Sequence, residues 1–193
     1  FRFSQAGAIR TALYAKKQPG GVLAFEDMSR STGSRFFVHS GTGTDGAGYG
    51  ESPDSPVATL DYAIGLCTAN KHDVIYVMPG HTETWSTTGV KVTSDMAGVT
   101  VIGLGSGADR PSFTFSHTGT TWTLSANGCT FKNLLFITGI DSVTTFATVS
   151  GTDNSFIGCE FRDTTDVEVI SDLTVTGDRF AAIDCVKNGY TSG

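Results

Sequence analysis

Apolar positions recur along the chain at intervals of a whole circuit rather than of a hairpin. Val74, Val101, Phe131, Phe156 and Phe180 begin copies of one pattern, spaced 27, 30, 25 and 24 residues apart. A hairpin meander would instead repeat after roughly 8 to 12 residues. The pattern therefore predicts strands that return once per circuit and stack in parallel, about 4.8 Å apart.

A small or bend-prone residue follows the first apolar position in four of the five copies. These residues are Gly103, Asn133, Gly158 and Ala182. Glycine and asparagine tolerate the left-handed backbone of a tight corner, so each copy is predicted to form a strand, a sharp bend and a second strand. We expect the phenylalanines that begin the last three copies to stack inside the coils.

The segment 58–68 is predicted to be helical, because Leu60, Ile64 and Cys67 share one helical face. It lies just before the first repeat, where a helix would cover the open end of a coil stack. The predicted architecture is an all-β parallel β-helix of about five coils over residues 36–193, with this capping helix. Residues 1–35 lie outside the repeat and are predicted to form an extended arm.

Charge is distributed unevenly between these two parts. Residues 1–35 hold six basic and two acidic residues, a net charge of +4, whereas the remainder holds seven basic and seventeen acidic residues, −10. A basic arm on an acidic body favours contact of the arm with another subunit or an acidic partner. The alternative is a solvated leader. The arm residues predicted to lie at an interface are Phe1, Phe3, Arg10, Lys16, Lys17 and Phe25.

Three large apolar residues of the body occupy positions that the repeat places on the outside. Ile102, Leu135 and Ile157 are therefore predicted to belong to an interface. The alternative is an error of one residue in the assignment of inward and outward positions, which would bury them.

The start of the body resembles a known superfamily. Residues 40–46 form a glycine-rich loop, 55–63 contain Pro-Val-Ala-Thr, and 73–83 form a strand that ends in Pro-Gly. This succession resembles the opening of pectate-lyase-like, right-handed parallel β-helix proteins. Residues 57–70 and 75–84 are also similar to uncharacterised proteins of tailed bacteriophages. The superfamily contains lyases, hydrolases and non-catalytic virion proteins, so the resemblance implies a fold rather than an activity.

Motifs for cofactors and metals are weak. Residues 41–46 match G-x-G-x-x-G, but more glycines and two prolines follow where a dinucleotide site needs a helix, so we predict a loop and no cofactor. The four cysteines have no metal-binding spacing. We place Cys129, Cys159 and Cys185 in three different inward columns and expect no internal disulfide. His81 and Glu83 are predicted to be surface polar residues.

The repeat supplies one candidate pair of catalytic carboxylates. Glu160 and Asp184 are predicted to share an outward column on successive coils, where two close carboxylates could serve acid–base chemistry. The alternative, which we favour, is a solvated acidic face relieved by nearby arginines.

These observations favour a non-enzymatic structural protein of a tailed-phage virion that decorates or stabilises the head and is anchored by its arm. The expected partners are other virion or capsid subunits and further copies of the chain, assembled in the host cytoplasm, with neither membrane nor nucleic acid favoured. One alternative is a polysaccharide-degrading lyase or hydrolase of tailspike type. Another is a carbohydrate-binding receptor module that uses Trp85, Trp122 or Tyr190.

Overall fold

The computed structural model describes residues 33–164 and 167–189. Most of the predicted arm, including all six of its interface residues, lies outside the described residues. Residues 33–35, which the sequence assigns to the arm, belong to the body: the backbone N–H of Ser34 donates to Asp73, and Arg35 pairs with Val74.

Fifteen strands and one α-helix follow one another in the described residues. In chain order they are β1 (Arg35–Val38), α1 (Leu60–Leu66), β2 (Val74–Val77), β3 (Thr82–Trp85), β4 (Gly89–Ser94), β5 (Thr100–Gly103), β6 (Ser112–Phe115), β7 (Thr120–Leu124), β8 (Thr130–Lys132), β9 (Leu135–Thr138), β10 (Val143–Val149), β11 (Ser155–Ile157), β12 (Glu160–Arg162), β13 (Val169–Val175), β14 (Ala181–Ile183) and β15 (Val186–Asn188). A 3₁₀ turn, Gly107–Asp109, lies between β5 and β6.

The strands form three sheets in which all neighbours are parallel. Sheet S1 has the order β1-β2-β5-β8-β11-β14, sheet S2 the order β15-β12-β9-β6-β3, and sheet S3 the order β13-β10-β7-β4. From β2 onward the chain visits S1, S2 and S3 in turn and then returns to S1. The fold is a parallel β-solenoid of about four turns, which confirms the predicted fold class.

Strand register corrects the repeat at both ends. Ile75, Val101, Phe131, Phe156 and Ala182 are the residues that pair across S1 in the inward column. The alignment from sequence was thus wrong by one residue at Val74 and by two at Phe180. Phenylalanine spacing caused the second error, because the last turn places alanine in the column and leaves the aromatic residue just before β14.

Aromatic side chains fill the interior. The Phe131 and Phe156 rings stack with centroids 5.2 Å apart, and Phe136 stacks on Phe161 at 5.1 Å. This confirms the predicted stacking of Phe131 and Phe156, each contributing about 2 kcal/mol through burial. Phe180 contacts Phe156 at 5.7 Å in a tilted arrangement, from outside the strand column.

Tight corners join S1 to S2. Asn133, Gly158 and Asp184 occupy this corner in successive turns with φ of 54°, 60° and 52°. The predicted bends at Asn133 and Gly158 are confirmed. The predicted bends at Gly103 and Ala182 are wrong, because both residues lie within strands.

The first end of the solenoid is closed. Helix α1 buries Leu60, Ala63 and Ile64 against the core, which confirms the predicted helix and its position. Asp45 accepts hydrogen bonds from the backbone N–H groups of Ala58 and Thr59, so the glycine-rich loop holds the start of α1. The edge of β1 that does not face β2 forms backbone hydrogen bonds with residues 50–57.

The core of the last described turn is more exposed to solvent than that of the turn before it. Val175 is 40 % exposed, whereas Val149, its partner in the preceding turn, is fully buried. Lys187 occupies the inward column after Phe136 and Phe161, and its ammonium group forms ion pairs with Asp163 and Asp172. An inward charge of this kind discourages further strand addition at a sheet edge.

Candidate functional site

The candidate catalytic carboxylates do not form a pair. Glu160 pairs in register with Leu135 on one side and Val186 on the other. Asp184 lies two residues earlier in its turn, at the left-handed corner that Gly158 occupies one turn before. The predicted shared column is therefore wrong, for the same two-residue reason that displaces Phe180.

Glu160 is held in a network of ion pairs. Its carboxylate contacts Arg110 at 3.0 Å and Arg162 at 2.7 Å, and it accepts a hydrogen bond from Asn188 at 2.6 Å. Burial alone would raise the pKa of Glu160, but the hydrogen bonds from Arg162 and Asn188 and the charges of both arginines outweigh it, so the pKa lies below its usual value. A carboxylate with a lowered pKa is ionised near neutral pH and has no proton to donate, so Glu160 is a poor general acid.

Leu135 belongs to the same region and is not available as a surface residue. It faces outward in register between Ser112 and Glu160, yet it is only 5 % exposed. Arg110 donates to Glu160 and to the carbonyl groups of Leu134 and Gly158, and so lies across this part of S2. The prediction of Leu135 as an exposed interface residue is corrected accordingly.

His81 and Glu83 are interior residues, contrary to the sequence prediction. His81 is fully buried, and its Nδ1 accepts the backbone N–H of Ser40, so the ring proton lies on Nε2 and is donated to Glu83. Glu83 also accepts from the backbone N–H of Leu60 and from Trp85 Nε1. The alternation of these residues with Trp85 along one strand is the sequence signal that places all three on one face. Their hydrogen bonds tie α1 to the first turn.

A groove of about 420 Å³ opens beside this network. Its walls come from α1, β3 and β4, and the lining residues are Thr59, Asp61, Glu83, Thr84, Trp85 and Lys91. Asp61 already accepts a hydrogen bond from the backbone N–H of Thr93, and Lys91 donates to Thr87. The groove thus combines two carboxylates, an ammonium group and an indole ring.

The tryptophans are not exposed binding platforms. Trp85 is 7 % exposed and Trp122 is fully buried, where its Nε1 donates to Ser94 at 2.8 Å. Tyr190, the third aromatic residue considered, lies outside the described residues. The alternative from the sequence, in which a sugar stacks on exposed Trp85 or Trp122, is therefore wrong for these two residues.

The cysteines are buried or partly buried thiols. All four are unpaired in the structure. Cys159 and Cys185 precede the paired residues Glu160 and Val186, so they share one column on successive turns, and the prediction of separate columns for these two is wrong. Burial raises the pKa of Cys159 to about 12. Among residues 33–164 and 167–189, no cluster of three or more His, Cys, Asp or Glu side chains is arranged to bind a metal ion.

One column of residues on the outer face of S1 is largely apolar. One outward column, which we call the S1 column, contains Phe37, Tyr76, Ile102, Lys132, Ile157 and Ile183. Ile102 and Ile157 are half-buried, and Ile183 is 47 % exposed. The two predicted interface isoleucines therefore lie outside the core, on one continuous strip.

Sheet S3 provides an internal comparison. Its outward column, which we call the threonine column, contains Thr93, Thr123, Thr148 and Thr174 on four successive turns. Both columns have the geometry of a parallel sheet surface, and threonine satisfies strand propensity while remaining compatible with water. The S1 column uses aromatic residues and isoleucine at equivalent positions, which is typical of a surface that contacts another molecule.

No family of known proteins, no curated protein and no solved structure matches this chain. Every helix in the described part of the chain is too short or too polar to cross a membrane.

Proposed function

We propose that the chain is a non-enzymatic structural subunit of a tailed-bacteriophage virion, where it decorates or stabilises the head. The S1 column is the observation that carries the proposal, because a continuous apolar strip on an outer face is typical of a surface that contacts another protein. The network around Glu160 supports it, since it removes the carboxylate that the sequence offered for catalysis. The virion setting rests on the sequence resemblance of residues 57–70 and 75–84 to tailed-phage proteins. In this proposal the basic segment 1–32 anchors the subunit to other capsid proteins.

Adding the purified full chain back to phage particles tests this proposal. Particles from a strain that lacks the gene should bind the chain to saturation and survive heat or chelation better than untreated particles. Particles that already contain the chain should bind little more. Absence of saturable binding would overturn the proposal, and so would cleavage of host polysaccharides by the free chain.

A second candidate function is carbohydrate binding, which the groove favours. Its volume of about 420 Å³ falls in the range of small-molecule sites, and Asp61 and Lys91 offer groups that bond to hydroxyls. Glycan titration followed by NMR tests it: shifts confined to the groove residues would support binding. Asp61→Asn should weaken such binding, whereas Thr123→Asn on sheet S3 should not.

A further inference from the structure

The outer face of S1 differs from the rest of the described surface in charge. Beside the S1 column runs a second outward column, formed by Arg35, Val74, Thr100, Thr130, Ser155 and Ala181. These two columns hold twelve residues and no carboxylate. Elsewhere acidic residues predominate, for the described residues include sixteen acidic and eight basic ones, a net charge of −8.

Charge complementarity indicates which surface fits this face. Lys132 lies within the apolar strip, between Ile102 and Ile157 in register, so a good partner surface brings a carboxylate among apolar groups. Two S1 faces packed against each other would bring cations together with no acidic side chain in either face. An acidic surface of a second copy supplies the missing charge, and the described residues include twice as many acidic as basic ones to provide it.

The small size of the face favours a ring, in which each copy makes two contacts, over an isolated pair. Six strands about 4.8 Å apart span roughly 24 Å, and three residues across a strand span about 10 Å. The footprint is then about 240 Å², well below the 800 Å² or so that each partner buries in a stable pairwise complex. A copy that uses S1 toward one neighbour and a different surface toward the other gains two contacts in a closed ring.

We propose that the outer face of S1 binds an acidic surface of a second copy of this chain, in a heterologous contact that closes into a ring. The inference rests on the proposed function in that it names a partner of the assembling subunit. Isoleucines 102, 157 and 183 supply the apolar contact, and Lys132 supplies the ion pair. Because salt screens the attraction between Lys132 and a carboxylate, association should weaken as ionic strength rises.

Sedimentation of the full chain and two matched variants tests the contact. Ile157→Asp places a carboxylate in the S1 column, and Thr123→Asp places the same group in the threonine column. We expect the wild type to self-associate at about 100 µM, Ile157→Asp to weaken association by at least about 30-fold, and Thr123→Asp to change it less than about threefold. Lys132→Glu gives a second test if Ile157→Asp fails to fold, and it should weaken association as well.

Carbodiimide cross-linking identifies the partner surface. The reagent joins Lys132 to a carboxylate only when the two are in contact, and mixing light copies with heavy-nitrogen copies shows whether the joined peptides come from different chains. We expect mixed-isotope peptides that contain Lys132, and their loss in Lys132→Arg, which keeps the charge but resists the coupling. A monomeric wild type, equal effects of Ile157→Asp and Thr123→Asp, or Lys132 cross-links confined to one chain would each overturn the inference. A chain that is monomeric alone but saturates phage particles would refute the ring and leave the proposed function standing.

Discussion

At Glu160, burial and charge act on one carboxyl group in opposite directions. The side chain is 12 % exposed, and two arginines and one asparagine surround it. Arg110 depends on the same arrangement, because its side chain is itself 16 % exposed and its Nε has no hydrogen-bond partner within the described structure. Removing the carboxylate would thus leave a buried cation without its counter-charge, which is costly.

Glu160→Gln is predicted to destabilise the fold by about 2 kcal/mol at neutral pH. The pKa of Glu160 is lowered in the folded state, so its contribution to stability is present above the usual glutamate pKa and is lost as pH falls through the lowered value. Urea unfolding of wild type and variant from neutral to acidic pH measures this, and the two curves should converge at low pH. Asp153→Asn, which breaks the exposed pair with Arg179, is the control and should change stability little.

Phe136 stabilises the fold through packing alone, without hydrogen bonds or charge. It is fully buried and its ring contacts five other aromatic rings: Phe113, Trp122, Phe146, Phe156 and Phe161. Phe136→Ala should cost about 3 to 5 kcal/mol, measured by urea unfolding. Ile137→Ala, the outward neighbour, should cost much less. Equal effects would mean that inward and outward positions of β9 are wrongly assigned.

At the level of elements, the corner between S1 and S2 shows what sequence can predict. Asn133 and Gly158 stand out because few residue types suit a left-handed backbone. Asp184 adopts the same conformation with φ of 52°, but an aspartate signals a corner weakly, and the phenylalanine repeat pointed two residues too early. Phenylalanine spacing predicts a core position only where the turn length stays constant, and hydrogen-bond register is needed wherever it changes.

The buried polar residues His81 and Glu83 show a second limit of prediction from the sequence. His81 and Glu83 look like surface residues because each is polar, and only the three-dimensional contacts with Ser40, Leu60 and Trp85 make burial tolerable. The outward position of Ile102 and Ile157 was predictable from alternation alone. The burial of Leu135 was not, because alternation along the strand places this residue on the outer face.

At Gly158 a substitution can measure the free-energy cost of the left-handed backbone alone, because an added side chain meets no steric clash. Its φ is +60°, and a Cβ atom placed there meets no other atom within 4 Å. Gly158→Ala should therefore destabilise the fold by about 1 to 2 kcal/mol, purely through backbone strain. Gly158→Asn should cost less, since asparagine already occupies the equivalent corner at position 133. Thermal unfolding compares the two, and a larger loss in the asparagine variant would contradict this explanation.

For the molecule as a whole, the two ends of the solenoid are unlike. Helix α1 and residues 50–57 close the first end, whereas Val175 is exposed at the last described turn. An asymmetric stack with one apolar outer face suits a subunit that is placed in one orientation among others. The segment 1–32 adds five basic residues and two acidic ones, a charge opposite to that of the body.

Deletion of residues 1–30 tests whether this basic segment serves assembly. Because the solenoid has its own core and its first turn is closed by α1, the deletion should leave circular dichroism and the cooperative melt nearly unchanged. Incorporation into the particle or oligomer should be abolished. Unfolding of the body would show instead that the segment belongs to its core, and normal incorporation would remove its assembly role.

The copy number of the chain in purified phage particles tests the account most directly. Quantitative mass spectrometry of particles, washed at physiological salt and prepared independently several times, measures the ratio of this chain to the major shell protein. The account predicts a constant stoichiometric ratio that falls sharply when Ile157→Asp replaces the wild type and is preserved by Thr123→Asp. Absence of the chain from the particles, or trace amounts that vary between preparations, would contradict it.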